Sequence, residues 1–223
     1  MVHVPHVFVP QPWPAAAVPI PPAAAHHLSR VLRVAPGAPV SYTDGQGHIG
    51  EGRLLDDELA RGAERFVAAP PVAITIAVAP PHDKDRLRFM VEKLAELEVR
   101  RIVFLRTRFG AGRLPDHSKA LSWAVGALEQ SQGAWLLEVE AGWTEPGELD
   151  PTSVWVADPG ADQPVGVAPA AVTIAIGPEG GWAPGELPAG AFRFGLGRTV
   201  LRVETAAIVA AGLIRSHSRE TAV

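Results

Sequence analysis

Two hydrophobic rhythms divide the chain near residue 70. Before that point the apolar runs are short, at Val7–Val9, Pro39–Thr43 and His48–Leu55. Asp44-Gly45-Gln46-Gly47 carries turn chemistry between the last two, so the pattern predicts a hairpin there. His26–Val34 has helical spacing, with Leu28, Val31 and Leu32 on one side. After Ala69-Pro70-Pro71 the apolar segments lengthen. Val72–Ala79 is a β-branched run suited to a buried strand. Asp83 precedes Lys84–Val99, where Leu87, Met90, Val91, Leu94 and Leu97 recur at helical spacing. Arg101–Leu105 predicts a strand, and His117–Gln130 a helix with Leu121, Val125 and Leu128 inward. Short strands are expected near 136–139, 153–157, 172–176 and 193–196, followed by an alanine-rich helix over Glu204–Ser216. Strands alternating with helices predict an α/β fold, a mostly parallel sheet covered on both faces, over residues 72–223. A small β-rich unit over residues 1–68 precedes it.

Composition narrows the class. An apolar fraction of 47% and a charged fraction of 20% are ordinary for a globular protein, and 223 residues suffice for a sizeable core. Pro5, Pro10, Pro12, Pro14, Pro19, Pro21 and Pro22 crowd the start, so the Ala15–Ala25 run should be loop-like with only a short helical start. Cysteine is absent, which excludes a disulfide scaffold, a thiolate metal site and a cysteine nucleophile, and fits a reducing compartment. No basic stretch precedes an apolar run and no apolar stretch reads as a membrane span, so a cytoplasmic protein without a membrane partner is expected.

The net charge of −4 argues, by itself, against nucleic acid as a partner. Its distribution changes that expectation. Between Ala120 and Phe192 lie ten acids and no Lys or Arg, whereas Lys84–Arg108 holds six arginines and two lysines against four acids. Such asymmetry predicts a basic face able to steer a polyanion; an ordinary solvated helix face is the alternative.

Several motifs dissolve when their mechanism is required. Gly45-Gln46-Gly47-His48-Ile49-Gly50 fits the letters of a dinucleotide fingerprint, but Glu51–Leu55 reads as a return strand rather than the helix whose amides would meet a pyrophosphate. His26 and His27 are adjacent, so they diverge by about 100° on a helix and lack the spacing of paired metal ligands. No metal is expected. More informative is Ile176-Gly177-Pro178-Glu179-Gly180-Gly181-Trp182. Its glycines sit at the carboxyl end of a buried strand, where open α/β sheets bind ligands, and they let a flat ligand approach the backbone. A second loop, Leu196-Gly197-Arg198-Thr199-Val200-Leu201-Arg202-Val203-Glu204-Thr205-Ala206, again runs from a strand through glycine into a helix. Glu204 falls at that helix start, where a carboxylate suits the dipole.

These two loops closely resemble the signature of the small-subunit (16S) ribosomal RNA uracil-N3 methyltransferases, the E-type enzymes of the SPOUT, or trefoil-knotted, class. The resemblance extends to His26-His27-Leu28-Ser29-Arg30-Val31-Leu32-Arg33 with Asp44-Gly45, to Lys84-Asp85-Arg86, to Lys93-Leu94-Ala95-Glu96-Leu97 and to Glu129-Gln130-Ser131, and so covers nearly the whole chain in order. It implies an N-terminal PUA-like β-barrel for RNA, a C-terminal knotted methyltransferase domain, S-adenosylmethionine as methyl donor and a homodimer. Gly177, Pro178, Glu179, Gly180 and Gly181 would hold the cofactor together with Leu196, Gly197, Val200, Leu201 and Thr205. Arg30, Arg33, Lys84, Arg86 and Arg108 would contact RNA phosphates. Arg202 would stabilise a developing uracil anion or hold a phosphate, with Glu204 the nearest ionisable group able to act as base.

The chain departs from the family pattern at three places. Pro5-His6-Val7-Phe8 stands where an arginine is usual, Glu98 stands at a usual glycine, and Gln132-Gly133 replaces an arginine expected after Ser131. Two of these losses remove candidate RNA contacts. A cofactor-binding RNA module without catalysis, and a SPOUT methyltransferase acting on tRNA, are therefore the alternatives to ribosomal RNA methylation.

Overall fold

The computed structural model describes residues 4–14 and 16–220, and the chain divides into two units. One comprises the residues up to Ala69 together with Val125–Leu136; the other comprises Pro70–Ala124 and the chain from Leu137 onward. Val125–Leu136, although late in the chain, joins the first unit, and hydrogen bonds give the reason. Glu129 Oε1 accepts from the Phe8 backbone N–H at 2.9 Å, and Leu136 N–H donates to the Gly45 carbonyl.

In the first unit, β1 (His6–Phe8), β2 (Ala17–Pro19), β3 (Pro39–Thr43), β4 (His48–Leu54) and β5 (Glu58–Phe66) form a curled mixed sheet in the order β1-β3-β4-β5-β2. The β1–β3 pair is parallel and the rest are antiparallel. Its core is Val7, Val18, Leu28, Val40, Tyr42, Leu54 and Leu59, each large aliphatic contributing about 1.5–3 kcal/mol by leaving water. The β3–β4 turn works as its residues require: the buried Asp44 carboxylate accepts from Gln46 N–H and His48 N–H. The helical segment expected at His26–Val34 starts earlier, as α1 (Pro22–His26), and continues as a π-helical turn over His27–Val31. Only Leu28 is inward; Val31 and Leu32 are exposed, because the wound segment ends at Leu32 and Arg33 turns left-handed at φ +53°.

In the second unit, β6 (Ala73–Val78), β7 (Arg101–Leu105), β8 (Glu138–Thr144), β9 (Val154–Ala157), β10 (Ala171–Ile176) and β11 (Phe192–Phe194) form a sheet in the order β11-β9-β10-β6-β7-β8. Every pair is parallel. Helix α2 (Lys84–Glu96) starts at Asp83, whose carboxylate accepts from the Asp85 and Arg86 amides, a cap worth about 1 kcal/mol. It closes with Val99 N–H bonded to Leu94 O and Glu98 N–H to Ala95 O, which sets Glu98 at φ +54°. Helix α3 spans His117–Ser131 and ends the same way, with Gln132 at φ +57°. A left-handed residue ending a helix is usually glycine, so the departures at Glu98 and Gln132 both occupy strained positions.

Helix α4 (Val203–Glu220) returns from the edge strand β11 to pack on β6, β10 and α2. Its buried Ala207, Ala210 and Ala211 are small enough for close approach, and Ile214 fills the contact. At its far end the buried Arg215 donates to the carbonyls of Val72, Leu97 and Glu98. Among the described residues no helix is long and apolar enough to cross a membrane. Leu149, Trp182, Leu187 and Ala191 pack with Ala77, Val103, Val156 and Ala175.

The charge asymmetry of the sequence does not survive folding intact. Strand β7 lies beside β8, so Arg100 meets Glu138 at 2.6 Å, Arg101 meets Glu140, and Arg106 meets Glu145 at 3.8 Å. Much of the basic run is neutralised by the acidic stretch rather than offered as one face.

Candidate active site

The chain leaves β6 toward β7 and leaves β10 toward β11 on the other side, so strand order reverses between β6 and β10. Loops diverge at such a point and leave a crevice outside the carboxyl ends of the strands. A cavity of about 630 Å³ lies beyond the ends of β9, β10 and β11. Its walls are Ala157–Pro159, Ile176–Gly185, and the loop around Gly197 and Leu201, with Val203 and Ala206 of α4 closing it.

Inside this frame the glycines have reasons of their own. A Cβ on Gly177 would lie 2.8 Å from the Trp182 indole, and one on Gly180 would lie 2.9 Å from Phe109. Protein side chains, rather than a ligand, demand those two. Gly181 adopts φ +75° and Gly197 φ +136°, where a side chain is strained. Glu186 fixes the wall by accepting from Ala183 N–H at 2.7 Å and from Arg108 N–H at 2.6 Å.

Asp158 and Glu179 line the cavity, and Glu204 lies in the turn of α4 that closes it. Asp158, the residue after β9, accepts from Gly160 N–H at 2.9 Å and pairs with Arg193 at 2.7 Å. The amide, then the guanidinium, hold its carboxyl below the usual range. Glu204, in the first turn of α4, is only 6% exposed. Its Oε1 lies 3.7 Å from Arg86, which also reaches Glu179 at 3.8 Å, while its Oε2 has no hydrogen-bond partner among the described residues. Glu204 is therefore not a backbone cap: Arg202 occupies the capping position, its carbonyl accepting from Ala206 N–H. A buried carboxylate with an unsatisfied oxygen costs stability unless something supplies a donor.

The predicted residues divide accordingly. Gly177, Pro178, Glu179, Gly180 and Gly181 line the cavity with Leu196, Gly197, Val200 and Leu201, whereas Thr205 does not and faces solvent. Arg202 is exposed and lines no part of it. Arg86 is turned to Glu179 and Glu204, which accounts for it without a phosphate. Lys84 lies beside Lys119, whose side-chain hydrogen bond and then charge lower its pKa. Arg30, Arg33 and Arg108 are exposed. Sequence reasoning missed Asp158 and Arg193 and gave Trp182 no role beyond closing the glycine motif; the Ala157-Asp158-Pro159-Gly160 strand end was the available signal for the first. Among the described residues no cluster of three or more His, Asp or Glu is placed to hold a metal.

A fully parallel sheet with a pocket outside its carboxyl ends at a reversal of strand order is the ligand-binding architecture of an α/β enzyme. Residues 68–215 match the RNA methyltransferase domain family, and the chain belongs to that family. Solved structures agree in fold over almost the whole length. A Porphyromonas gingivalis protein described as a probable rRNA methyltransferase is 26% identical, with a TM-score of 0.81, covering 98% of this chain and 100% of its own. The small-subunit ribosomal RNA methyltransferase E of Neisseria gonorrhoeae, bound to S-adenosylmethionine, is 23% identical with a TM-score of 0.82, covering 96% of this chain and 98% of its own. A Legionella pneumophila methyltransferase in complex with the same cofactor is 22% identical with a TM-score of 0.84, at 96% and 98% coverage. No curated protein sequence matches the chain.

Proposed function

We propose that this protein transfers a methyl group from S-adenosylmethionine to N3 of a uridine in small-subunit ribosomal RNA, acting in the cytoplasm as a homodimer. The observation that carries this reading is the meeting of both signature loops at one cavity, closed by Val203 and Ala206 on either side of the buried Glu204. The residues fit the cofactor. The volume suits a ligand of that size, roughly 300–1,000 Å³ being usual. Backbone from Gly177–Gly181 and around Gly197 and Leu201 offers amides and carbonyls, Trp182 and Leu187 offer apolar walls, and the Asp158–Arg193 pair offers both charges that a zwitterionic amino acid group needs. When bound, the sulfonium supplies an activated methyl group.

The protein's own part is alignment, exclusion of water and removal of the uracil N3 proton. We assign the last task to Glu204, which lies in the first turn of α4 between the cavity-lining Val203 and Ala206. Its buried Oε2 has no hydrogen-bond partner among the described residues, and Arg86 stabilises the carboxylate from the other oxygen. Arg86 is a positioning residue that ties Glu204 to the cavity loop through Glu179. Arg202, exposed at the mouth of α4, is available to the RNA rather than to the cofactor. The knotted topology expected of the class is supported by the path of α4, which leaves the edge of the sheet and returns to its centre beside α2.

The test is direct. The protein is incubated with labelled S-adenosylmethionine and a mixture of under-methylated small subunits and tRNA, and the two RNAs are separated and digested to nucleosides. Labelled 3-methyluridine is the expected product; tight cofactor binding with no labelled nucleoside, or label only in tRNA, overturns the reading.

A further inference from the structure

A second cavity, of about 600 Å³, lies entirely within the first unit. Its lining includes His6, Ser41, Glu51, Arg53, Arg65 and Gln132. Two of the positions where the sequence departs from the family pattern therefore meet here. His6 Nε2–H donates to the Gly133 carbonyl at 3.0 Å, and Gln132 donates to the Val4 carbonyl. Burial pushes the His6 pKa down, so its neutral ring leaves Nδ1 to accept from the Ser41 hydroxyl at 2.8 Å. The histidine is thus a wall of the cleft and not one of its charges.

The charges come from the sheet. Arg61 also borders the cleft, but its guanidinium is held by Glu64 and by the Trp13 and Pro14 carbonyls. Arg65 has no ion-pair or hydrogen-bond partner among the described residues, and Arg53 donates only to the Gly37 carbonyl. Both are exposed, and one acid, Glu51, shares the lining. Small residues, Gly52, Gly62 and Ala63, lower the floor between them. Arg65 pairs across the ladder with Ile49, four residues along β4 from Arg53. At about 3.3 Å per residue, this places the two backbones about 13 Å apart along the strand. Such spacing is too wide for one phosphate and spans about two nucleotide steps of an extended strand.

We infer that this cleft grips the phosphodiester backbone of the RNA substrate, with Arg53 and Arg65 each neutralising a phosphate. The inference rests on the RNA-methylating reading and adds a substrate contact remote in sequence from the cofactor loops. Phosphate contacts position a nucleic acid without reading its sequence, and each one steepens the salt dependence of binding.

The experiment measures binding of the full-length protein to labelled oligouridylate across a salt series. The wild type is compared with the Arg53→Ala/Arg65→Ala and Arg53→Lys/Arg65→Lys double variants. Loss of two single-strand contacts should reduce the slope of log K against log salt by about 1.4 and weaken binding about tenfold at low salt. The lysine variant, which keeps the charge, should retain the slope. S-adenosylmethionine affinity should be unchanged in both, which reports that the fold is intact. An unaltered slope in the alanine variant, in a protein that still methylates RNA, overturns the cleft assignment and leaves the catalytic reading standing. Equal binding of polyglutamate, with the same loss on substitution, overturns RNA as the occupant. A wild type that binds no RNA overturns both readings.

Discussion

Two glycine-rich turns of this protein look alike in sequence and differ in consequence. Gly45-Gln46-Gly47 and Gly177-Pro178-Glu179-Gly180-Gly181 each follow a strand. The first leads into the antiparallel strand β4, and its space is filled from within: a Cβ on Gly47 would stand 2.6 Å from Phe66, 2.7 Å from Trp135 and 2.9 Å from the Val67 carbonyl. The second leaves a buried parallel strand at the point where strand order reverses, and its space stays open. Even there, Gly177 and Gly180 are required by Trp182 and Phe109. Glycine content therefore does not make a pocket. The topology of the sheet does, by sending neighbouring loops apart.

Four substitutions probe that contrast. The largest effect concerns the open site. Glu204→Gln keeps shape but removes the proton acceptor, so kcat should fall about 10²- to 10⁴-fold, with the melting temperature held or raised because an incompletely partnered buried charge is gone. Steady-state kinetics and calorimetry on one preparation decide this; a parallel loss of stability would make Glu204 structural. Next is the filled turn. Gly47→Val, at φ +101° and against backbone and two rings, should cost about 3 kcal/mol. Urea unfolding reads that cost, and unaltered cofactor affinity in the folded fraction is expected; a loss of affinity would link the turn to the site.

A smaller effect separates the units by pH. His6 has its pKa depressed by burial, so above about pH 6.5, the ordinary histidine value, both folded and unfolded forms are neutral. As pH falls below that value the unfolded chain takes up the proton first, and stability declines until the folded ring protonates too. His6→Gln should flatten stability across this window in acid titrations of chemical unfolding; an unchanged slope would remove His6 as its source. The smallest effect tests glycine in its purely conformational role. Glu98 sits at φ +54° as the residue ending α2, so Glu98→Gly should stabilise by about 0.5–1 kcal/mol. A destabilisation in thermal melts would mean that the Glu98 side chain contributes more than its backbone costs.

The sequence was legible wherever one face of an element is continuously buried. Ile74 and Ile76 of β6, Ile174 and Ile176 of β10, and the Leu87-Met90-Val91-Leu94 stripe of α2 all have near-zero exposure. Strand β5 left little trace, because only Leu59 among Glu58–Phe66 is fully buried. Nor can periodicity report strand order. It could not show that the arginines of β7 lie against the glutamates of β8, or that Gly133 returns to His6 across 127 residues. At the site, the two loops were readable because their glycines and flanking strands are contiguous. Asp158 and Arg193 come from different strands and converge only in the folded sheet, and the solvent-facing Thr205 shows that a contiguous motif does not turn every residue inward.

The proposed chemistry depends on the cavity beyond β9, β10 and β11 presenting a methyl donor to Glu204. A crystal structure of the protein with bound S-adenosylmethionine is the decisive experiment. The expected result is cofactor held by the backbone of Gly177–Gly181 and the loop around Gly197 and Leu201, with the sulfonium methyl facing the first turn of α4. A cofactor seated elsewhere, or a methyl group turned away from Glu204 behind an intact wall, would contradict it.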